Sequence, residues 1–317
     1  VLEGDDASTQ ERLREWLGAV GGPAAVAIVP LAGDVSARRY FRVLRADGST
    51  RIAARYPRQL AAAQERFRRA ADLLGAAGVR VPRIERDDPA AGLALLEDLG
   101  ERTLYERSDL DAESRARYWR AAIAVSRRIG RLSPAAVVAL GSPPLDRGLL
   151  QRELRATVDL YLAPRRLATP ALLTGLELLC ERLAAETPVP CHRDFMVRNL
   201  VPLGADRVGV LDFQDLRLGP PAYDLASLLN DSWFAPPELE AELVGEYLPD
   251  PAAREGYRRA VAQRALKAVG TFTAFAARGQ DRHLPLVAPT LARAARQLSE
   301  LPETAAAFAE LRDRFAT

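Results

Sequence analysis

The stretch Cys191-His192-Arg193-Asp194-Phe195-Met196-Val197-Arg198-Asn199 decides how this chain is read. It carries His, Asp and Asn at the spacing H-x-D-x-x-x-x-N. An apolar run ending in an acid follows it, Val208-Gly209-Val210-Leu211-Asp212-Phe213-Gln214. Gly204-Ala205-Asp206-Arg207 between them is a turn signal, so a β-hairpin is predicted from Leu200 to Leu211. Its strands run out and back, which returns Asp212 to the end where Asn199 sits. Phosphoryl transfer asks for in-line positioning and charge neutralisation more than for covalent chemistry, and this loop has the parts for it. Asp194 is expected to take the proton of a substrate hydroxyl, with Asn199 and Asp212 as Mg²⁺ ligands and His192 bracing the loop from behind. Isolated acids and a lone histidine are usually structural; the fixed offsets and the apolar strand together are what make the pattern specific.

Just downstream, Leu218-Gly219-Pro220-Pro221-Ala222-Tyr223-Asp224-Leu225 reads as a turn entering an apolar helix. Asp224 in its first turn suits the helix dipole and is expected to brace the catalytic loop as well. Gln214 and Asp215, beside the metal strand, are open to a substrate or a Mg²⁺ role.

Upstream, residues 7 to 20 show a helical apolar face, with Ser8 as a candidate N-cap. Val26 to Leu31, Tyr40 to Leu44 and Thr50 to Tyr56 alternate with turn signals as an antiparallel meander, and residues 59 to 77 return to helical spacing. Pro82 opens an extended segment, Leu93 to Leu96 reads as a short strand, and Glu97-Asp98-Leu99-Gly100 is a polar connector. Beyond it lie amphipathic helical stretches at about 111 to 131, 145 to 162 and 169 to 186, and helices resume at Asp224. The layout is an α+β, protein-kinase-like bilobal fold. A small antiparallel-sheet lobe (1–96) and a hinge (97–100) precede a larger, mainly helical lobe (101–317) that holds the catalytic hairpin.

In the sheet lobe, the turn around Gly33 and Ser36 is placed to fold over nucleotide phosphates through its N–H groups and hydroxyl. The lobe contains no lysine, and Arg55 is the nearest candidate by type for the usual phosphate-pairing position, with Glu65 as a possible partner. A guanidinium is not equivalent to an ammonium there, because its planar fork reaches phosphate differently. Glu97 and Leu99 in the hinge are expected to offer backbone groups to adenine.

Composition bounds the rest. The chain has 317 residues, 48% hydrophobic and 27% charged, and its net charge of +2 is small against 44 basic and 42 acidic side chains. Bulk charge therefore argues for no nucleic-acid partner. Two cysteines, Cys180 and Cys191, cannot make a disulfide framework, and no apolar stretch approaches the ~20 residues that span a bilayer. A cytoplasmic monomer or weak dimer without membrane attachment is expected. Lys267 is the only lysine among those 44 basic residues; it is read as structural or substrate-side, snorkelling from a core helix being the simpler alternative.

These stretches together resemble the aminoglycoside phosphotransferase and choline kinase superfamily. More narrowly they are similar to the anomeric sugar kinases that phosphorylate N-acetylmuramate and N-acetylglucosamine at C1 during cell-wall recycling. The likeness rests on Gly33-to-Arg42, Leu95-to-Gly100, His192-to-Asn199 with Leu211-to-Asp215, Gly219-Pro220 with Tyr223-Asp224-Leu225, and Gln263-to-Phe272. It implies a phosphotransferase with an alcohol group as acceptor, using ATP and Mg²⁺, with Asp194 as base, Asn199 and Asp212 on the metal, and an amino sugar as the small-molecule acceptor. Where those sugar kinases carry a polar run after the Asp, here stands Phe195-Met196-Val197, in a loop that lies near the substrate. Kinases of aminoglycosides, choline or an amino-acid-like hydroxyl are the alternatives within the superfamily, and a nucleotide-binding pseudokinase is the alternative outside enzymes. A polycationic aminoglycoside would call for an acidic cleft, with Glu153 and Asp159 as candidate acids.

Overall fold

The meander read from the first sixty residues forms as expected and gains two further strands. In the computed structural model, which describes residues 3–20, 23–31, 37–204 and 206–315, the chain divides into two units. One is Val1–Glu101 with Gly209–Gln214; the other is Arg102–Val208 with Asp215–Thr317.

The first unit contains α1 (Glu3–Val20), β1 (Ala25–Pro30), β2 (Arg39–Arg45), β3 (Thr50–Arg55), α2 (Ala61–Ala76), β4 (Ile84–Asp88) and β5 (Leu93–Glu97). Among the described residues its sheet has five strands in the order β1-β2-β3-β5-β4, and each neighbouring pair is antiparallel. Asp47 accepts the N–H (3.0 Å) and hydroxyl (2.7 Å) of Ser49, and Gly48 takes the positive φ (80°) that the tight β2–β3 turn requires. The four apolar residues Leu93 to Leu96 are all buried because β5 lies between β3 and β4. Leu13, Ile28, Phe41, Val43, Ala53, Leu93 and Leu95 form the core under the sheet. The extended segment opened by Pro82 is a strand over Ile84-Glu85-Arg86-Asp87-Asp88, whose four charged residues in five show no alternation; such a strand belongs at a sheet edge, where charge discourages further pairing. Helix α1 begins at Glu3, so Ser8 lies inside it and is not its N-cap. Gly209–Gln214 is held within this unit by the Val210 N–H to Arg80 carbonyl bond (2.7 Å) and by Phe213 stacked on Phe67 of α2 at 4.6 Å.

The second unit is mainly helical: α3 (Ala112–Ile129), α4 (Pro134–Val138), α5 (Arg147–Thr157), α6 (Pro170–Ala184), α7 (Tyr223–Asn230), α8 (Pro237–Tyr247), α9 (Pro251–Ala276) and α10 (Val287–Glu300). The starts of α3, α5, α6 and α9 are set by side-chain caps: Asp111, Asp146, Thr169 and Asp250 each accept an N–H from the first turn. After Thr157 the α5 pattern loosens into a π-helical turn, Val158–Leu162. Two short strand pairs interrupt the helices. β6 (Val189–Cys191) pairs antiparallel with β9 (Arg217–Gly219), and β7 (Leu200–Pro202) pairs with β8 (Val208–Val210) in the predicted hairpin. β9 was not foreseen. It needs a glycine at its end, because a Cβ on Gly219 would lie 2.8 Å from both Cys191 Sγ and Leu145 Cδ1. No helix among the described residues is long and apolar enough to cross a membrane.

One helix contact governs where the functional side chains fall. At Gly270 a Cβ would lie 2.4 Å from the Thr157 backbone nitrogen and 2.5 Å from its hydroxyl, so α5 and α9 meet nearly backbone to backbone. The Thr157 hydroxyl donates to the Leu266 carbonyl at this contact. One turn away, the same approach puts Glu153 of α5 against Gln263 and Lys267 of α9. Gly270→Ala is therefore expected to lower stability by about 1–3 kcal/mol through overpacking against a backbone that cannot yield. A urea melt would register it, and an unchanged midpoint would contradict this packing.

Candidate active site

The loop after β6 is drawn into place by Asp224. This residue sits in the first turn of α7, 3% exposed, and accepts the N–H of His192 (2.7 Å) and of Arg193 (3.0 Å). Burial pushes its carboxyl up from the ordinary range, opposed by His192 and by the two N–H groups. Arg193 has φ of 77°, a left-handed conformation costly for a non-glycine residue. The pair of bonds to Asp224 offsets that strain and turns the chain so that Asp194 comes next. His192 is fully buried with its ring edge-on to Phe195, centroids 5.7 Å apart. Asp224→Ala would strip two buried N–H groups of their acceptor, and a loss of roughly 2–4 kcal/mol is expected. Thermal unfolding with and without the substitution checks it; a shift within error would mean that the loop is held elsewhere.

Asp194 lies at the centre of a charged cluster contributed by three elements of the second unit. Its Oδ1 accepts from Arg264 Nη1 (3.0 Å) and is 3.6 Å from Lys267 Nζ, while its Oδ2 is 3.9 Å from Arg193 Nη1. Burial works against this charge, but Lys267, Arg264 and Arg193 outweigh it and hold the carboxyl well below the usual carboxylate range. Arg264 also donates to the Arg193 carbonyl at 3.0 Å and lies over the Tyr223 ring. Glu153 takes Arg193 (2.8 Å) and Lys267 (3.1 Å), with Gln263 and Tyr223 completing the cage. Asp215 is fixed by Arg193 and Arg217, both at 3.2 Å. Asn199 donates its amide N–H to the Asp194 carbonyl at 2.8 Å, which tethers the two ends of the loop and leaves the amide oxygen as the atom with lone pairs to offer.

Asp212, in the first unit, closes the apolar strand with φ of 57°. Its Oδ1 accepts from Gln214 Nε2 (2.6 Å) and lies 3.4 Å from Arg38 Nη2, and the side chain keeps 45% of its surface exposed. Gln214 itself is buried. After β5, Asp98 ties Arg42 of β2 (2.8 Å) and caps the Gly100 N–H (3.0 Å), where φ is 140°. The Glu97 N–H is taken by the Arg83 carbonyl, and its carboxylate binds Arg80 and Arg83. Leu99 is half-buried. Arg55 reaches Thr9 of α1 at 2.9 Å. Glu65 is paired with Arg68 one turn along α2 and not with Arg55, as three-residue spacing on one helix favours. Gly33 and Ser36 lie outside the described residues.

Residues 27–260 match the profile of the phosphotransferase enzyme family (APH). The chain belongs to that family. Among relatives of this phosphotransferase, the N-acetylmuramate/N-acetylglucosamine kinase of Pseudomonas aeruginosa is 34% identical over 278 residues, covering 81% of this chain and 79% of the relative. The kinase of the same name from Neisseria meningitidis serogroup B is 29% identical, covering 95% and 96%. In fold, the phosphotransferase is similar to the ADP-bound aminoglycoside phosphotransferase APH(2'')-Ib, with TM-score 0.62, 16% identity, and 96% and 99% of the two chains covered. It is similar also to the choline kinase LicA from Streptococcus pneumoniae, with TM-score 0.62, 15% identity, and 93% and 99% covered.

Three readings of the phosphotransferase's sequence change with the structure. Phe195 and Val197 are fully buried, so these apolar residues of the Asp194 loop are core contacts, and only Met196 of the three is partly exposed. Lys267 does not snorkel. Its side chain is 17% exposed and its ammonium is turned inward to two carboxylates. Glu153, weighed as an acid awaiting a polycation, is already neutralised, and Asp159 is exposed on the next turn. The contacts of Arg264, Gln263 and Arg193 around Asp194 and Glu153 leave no pattern in the sequence; the single lysine in a chain of arginines is the one local signal of this cluster.

Proposed function

We propose that this phosphotransferase is an ATP- and Mg²⁺-dependent kinase that phosphorylates the anomeric hydroxyl of N-acetylmuramate or N-acetylglucosamine. The observation that carries the acceptor is the 34% identity, across 81% of the chain, to a relative named for those two sugars. What carries the chemistry is the Asp194 loop. A carboxylate held ionised by three cations is a weak base but a firm hydrogen-bond acceptor. That suits a loose phosphoryl-transfer transition state, in which the hydroxyl needs orientation first and gives up its proton late. Asp194 Oδ1 is engaged by Arg264 and approached by Lys267, so Oδ2 is the oxygen that takes the sugar hydroxyl. Asn199 Oδ1 and the Asp212 carboxylate are hard oxygen donors of the type Mg²⁺ takes alongside phosphate oxygens, and they are assigned to hold it. When bound, Mg²⁺ neutralises phosphate charge. Gly33, Ser36 and Arg55 are assigned to the phosphates, and the backbone at Glu97 and Leu99 to adenine.

The test is ADP release by the purified protein with ATP, Mg²⁺ and, separately, N-acetylmuramate, N-acetylglucosamine, an aminoglycoside and choline. Turnover with either amino sugar, with the product phosphate resolved at C1 by ³¹P–¹H NMR, supports the assignment. Turnover only with the aminoglycoside or choline rejects it. Nucleotide binding without turnover on any acceptor would make the protein a pseudokinase.

A further inference from the structure

Lys267 has figured so far only as one of three cations around Asp194, yet the chain treats it differently from every other basic position. It is the single lysine beside 43 arginines, and it follows the buried Gln263 and Arg264 on α9. Its ammonium is 3.1 Å from Glu153 Oε1 and 3.6 Å from Asp194 Oδ1. Arg264 and Arg193 flank the same two carboxylates. With a guanidinium already on either side, the remaining gap suits a compact cation that directs tetrahedral donors at two carboxylates, not a third planar fork.

The geometry points to Lys267 as a positioning residue for phosphoryl transfer: bridging Glu153 and Asp194, it holds Asp194 Oδ1 toward α9 and leaves Oδ2 aimed at the acceptor hydroxyl. Without the ammonium, the two carboxylates lose the one cation they share, Arg264 remains on Asp194 and Arg193 on Glu153, and Asp194 can turn about its χ angles toward Arg193. The α5–α9 contact at Gly270 and Thr157 is what fixes the width of the bridge. This inference rests on the proposed role of Asp194 and assigns the support of that role to one side chain.

Steady-state kinetics on Lys267→Met and Lys267→Arg, beside Asp194→Asn, test it with the acceptor that turns over in the panel. Lys267→Met is expected to lower kcat by about 10²-fold, the cost of a misplaced reacting group, with KM for ATP unchanged. Lys267→Arg restores part of kcat. The pH profile separates positioning from packing. Burial lowers the Lys267 pKa, against the pull of Asp194 and with Arg264, Glu153 and Arg193 also facing it, so wild-type kcat falls on the alkaline side before the ordinary lysine range. Lys267→Arg, which stays protonated, loses that alkaline limb. Wild-type kcat in Lys267→Met, or an alkaline limb retained in Lys267→Arg, overturns the inference. Asp194→Asn tells this failure from a deeper one: if it too retains activity, or if no acceptor turns over, the catalytic assignment of Asp194 falls and the inference with it.

Discussion

Asp194→Asn lowers kcat by about 10²–10⁴-fold, the range expected for removing a positioned acid–base group. The substitution is nearly isosteric, so packing around the loop is preserved, and Asn199 still donates to the carbonyl of residue 194. What changes is the charge and the acceptor. An amide cannot receive the hydroxyl proton, and it presents one oxygen where two were available. Arg264 and Lys267 compete for that oxygen at the position now occupied by Oδ1. The amide nitrogen is then turned toward the acceptor hydroxyl, where it donates instead of accepting. Buried cations stripped of a partner usually destabilise a protein. Here Glu153 still neutralises Arg193 and Lys267, so the helical signal in circular dichroism is expected to persist while turnover is lost. ADP release under saturating ATP and acceptor measures the effect, and activity within a few-fold of wild type would remove Asp194 from the mechanism.

The second large effect is at Asp212. Its φ of 57° makes Asp212→Ala a mixed experiment, because alanine pays a conformational penalty of roughly 1–2 kcal/mol in left-handed geometry. Asn tolerates that region, so Asp212→Asn isolates the charge. If Asp212 holds Mg²⁺ as proposed, the variant is expected to lose about 10³-fold in kcat or more, since a neutral ligand in place of a charged one removes several kcal/mol of charge stabilisation. Raising Mg²⁺ should recover part of the loss, as weakened binding is offset by mass action. The Phe213–Phe67 stack and the Val210–Arg80 bond do not involve the carboxylate, so the melting transition should stay in place. Full activity in Asp212→Asn at low Mg²⁺ would reassign the ligand.

Much of this site could be read without coordinates because its information is local. Asp194 and Asn199 are five residues apart on one loop, and the turn at Gly204 signals the hairpin that leads to Asp212. The amphipathic helices declared themselves by period, and their caps Asp111, Asp146 and Thr169 stand where short polar side chains meet apolar runs. The segment at Ile84–Asp88 reads from sequence only as extended, because its pairing with β5, not its own pattern, makes it a strand. The same holds for Arg217–Gly219, three residues whose partner β6 lies before the hairpin.

The segment from Cys191 to Gln214 thus determined the reaction class by itself, since His192, Asp194 and Asn199 at fixed offsets, followed by an apolar strand ending in Asp212, are a property of a short stretch of chain. Tertiary structure alone decided what holds that acid in its working state. Arg264 and Lys267 are more than sixty residues from Asp194 in sequence, and Glu153 some forty. They meet only because a glycine on α9 lets α5 close against it, and because Asp224 bends the loop into the gap. Charge strength over a few ångströms depends on that approach and on the exclusion of water, and neither is written in the spacing of residues along the chain.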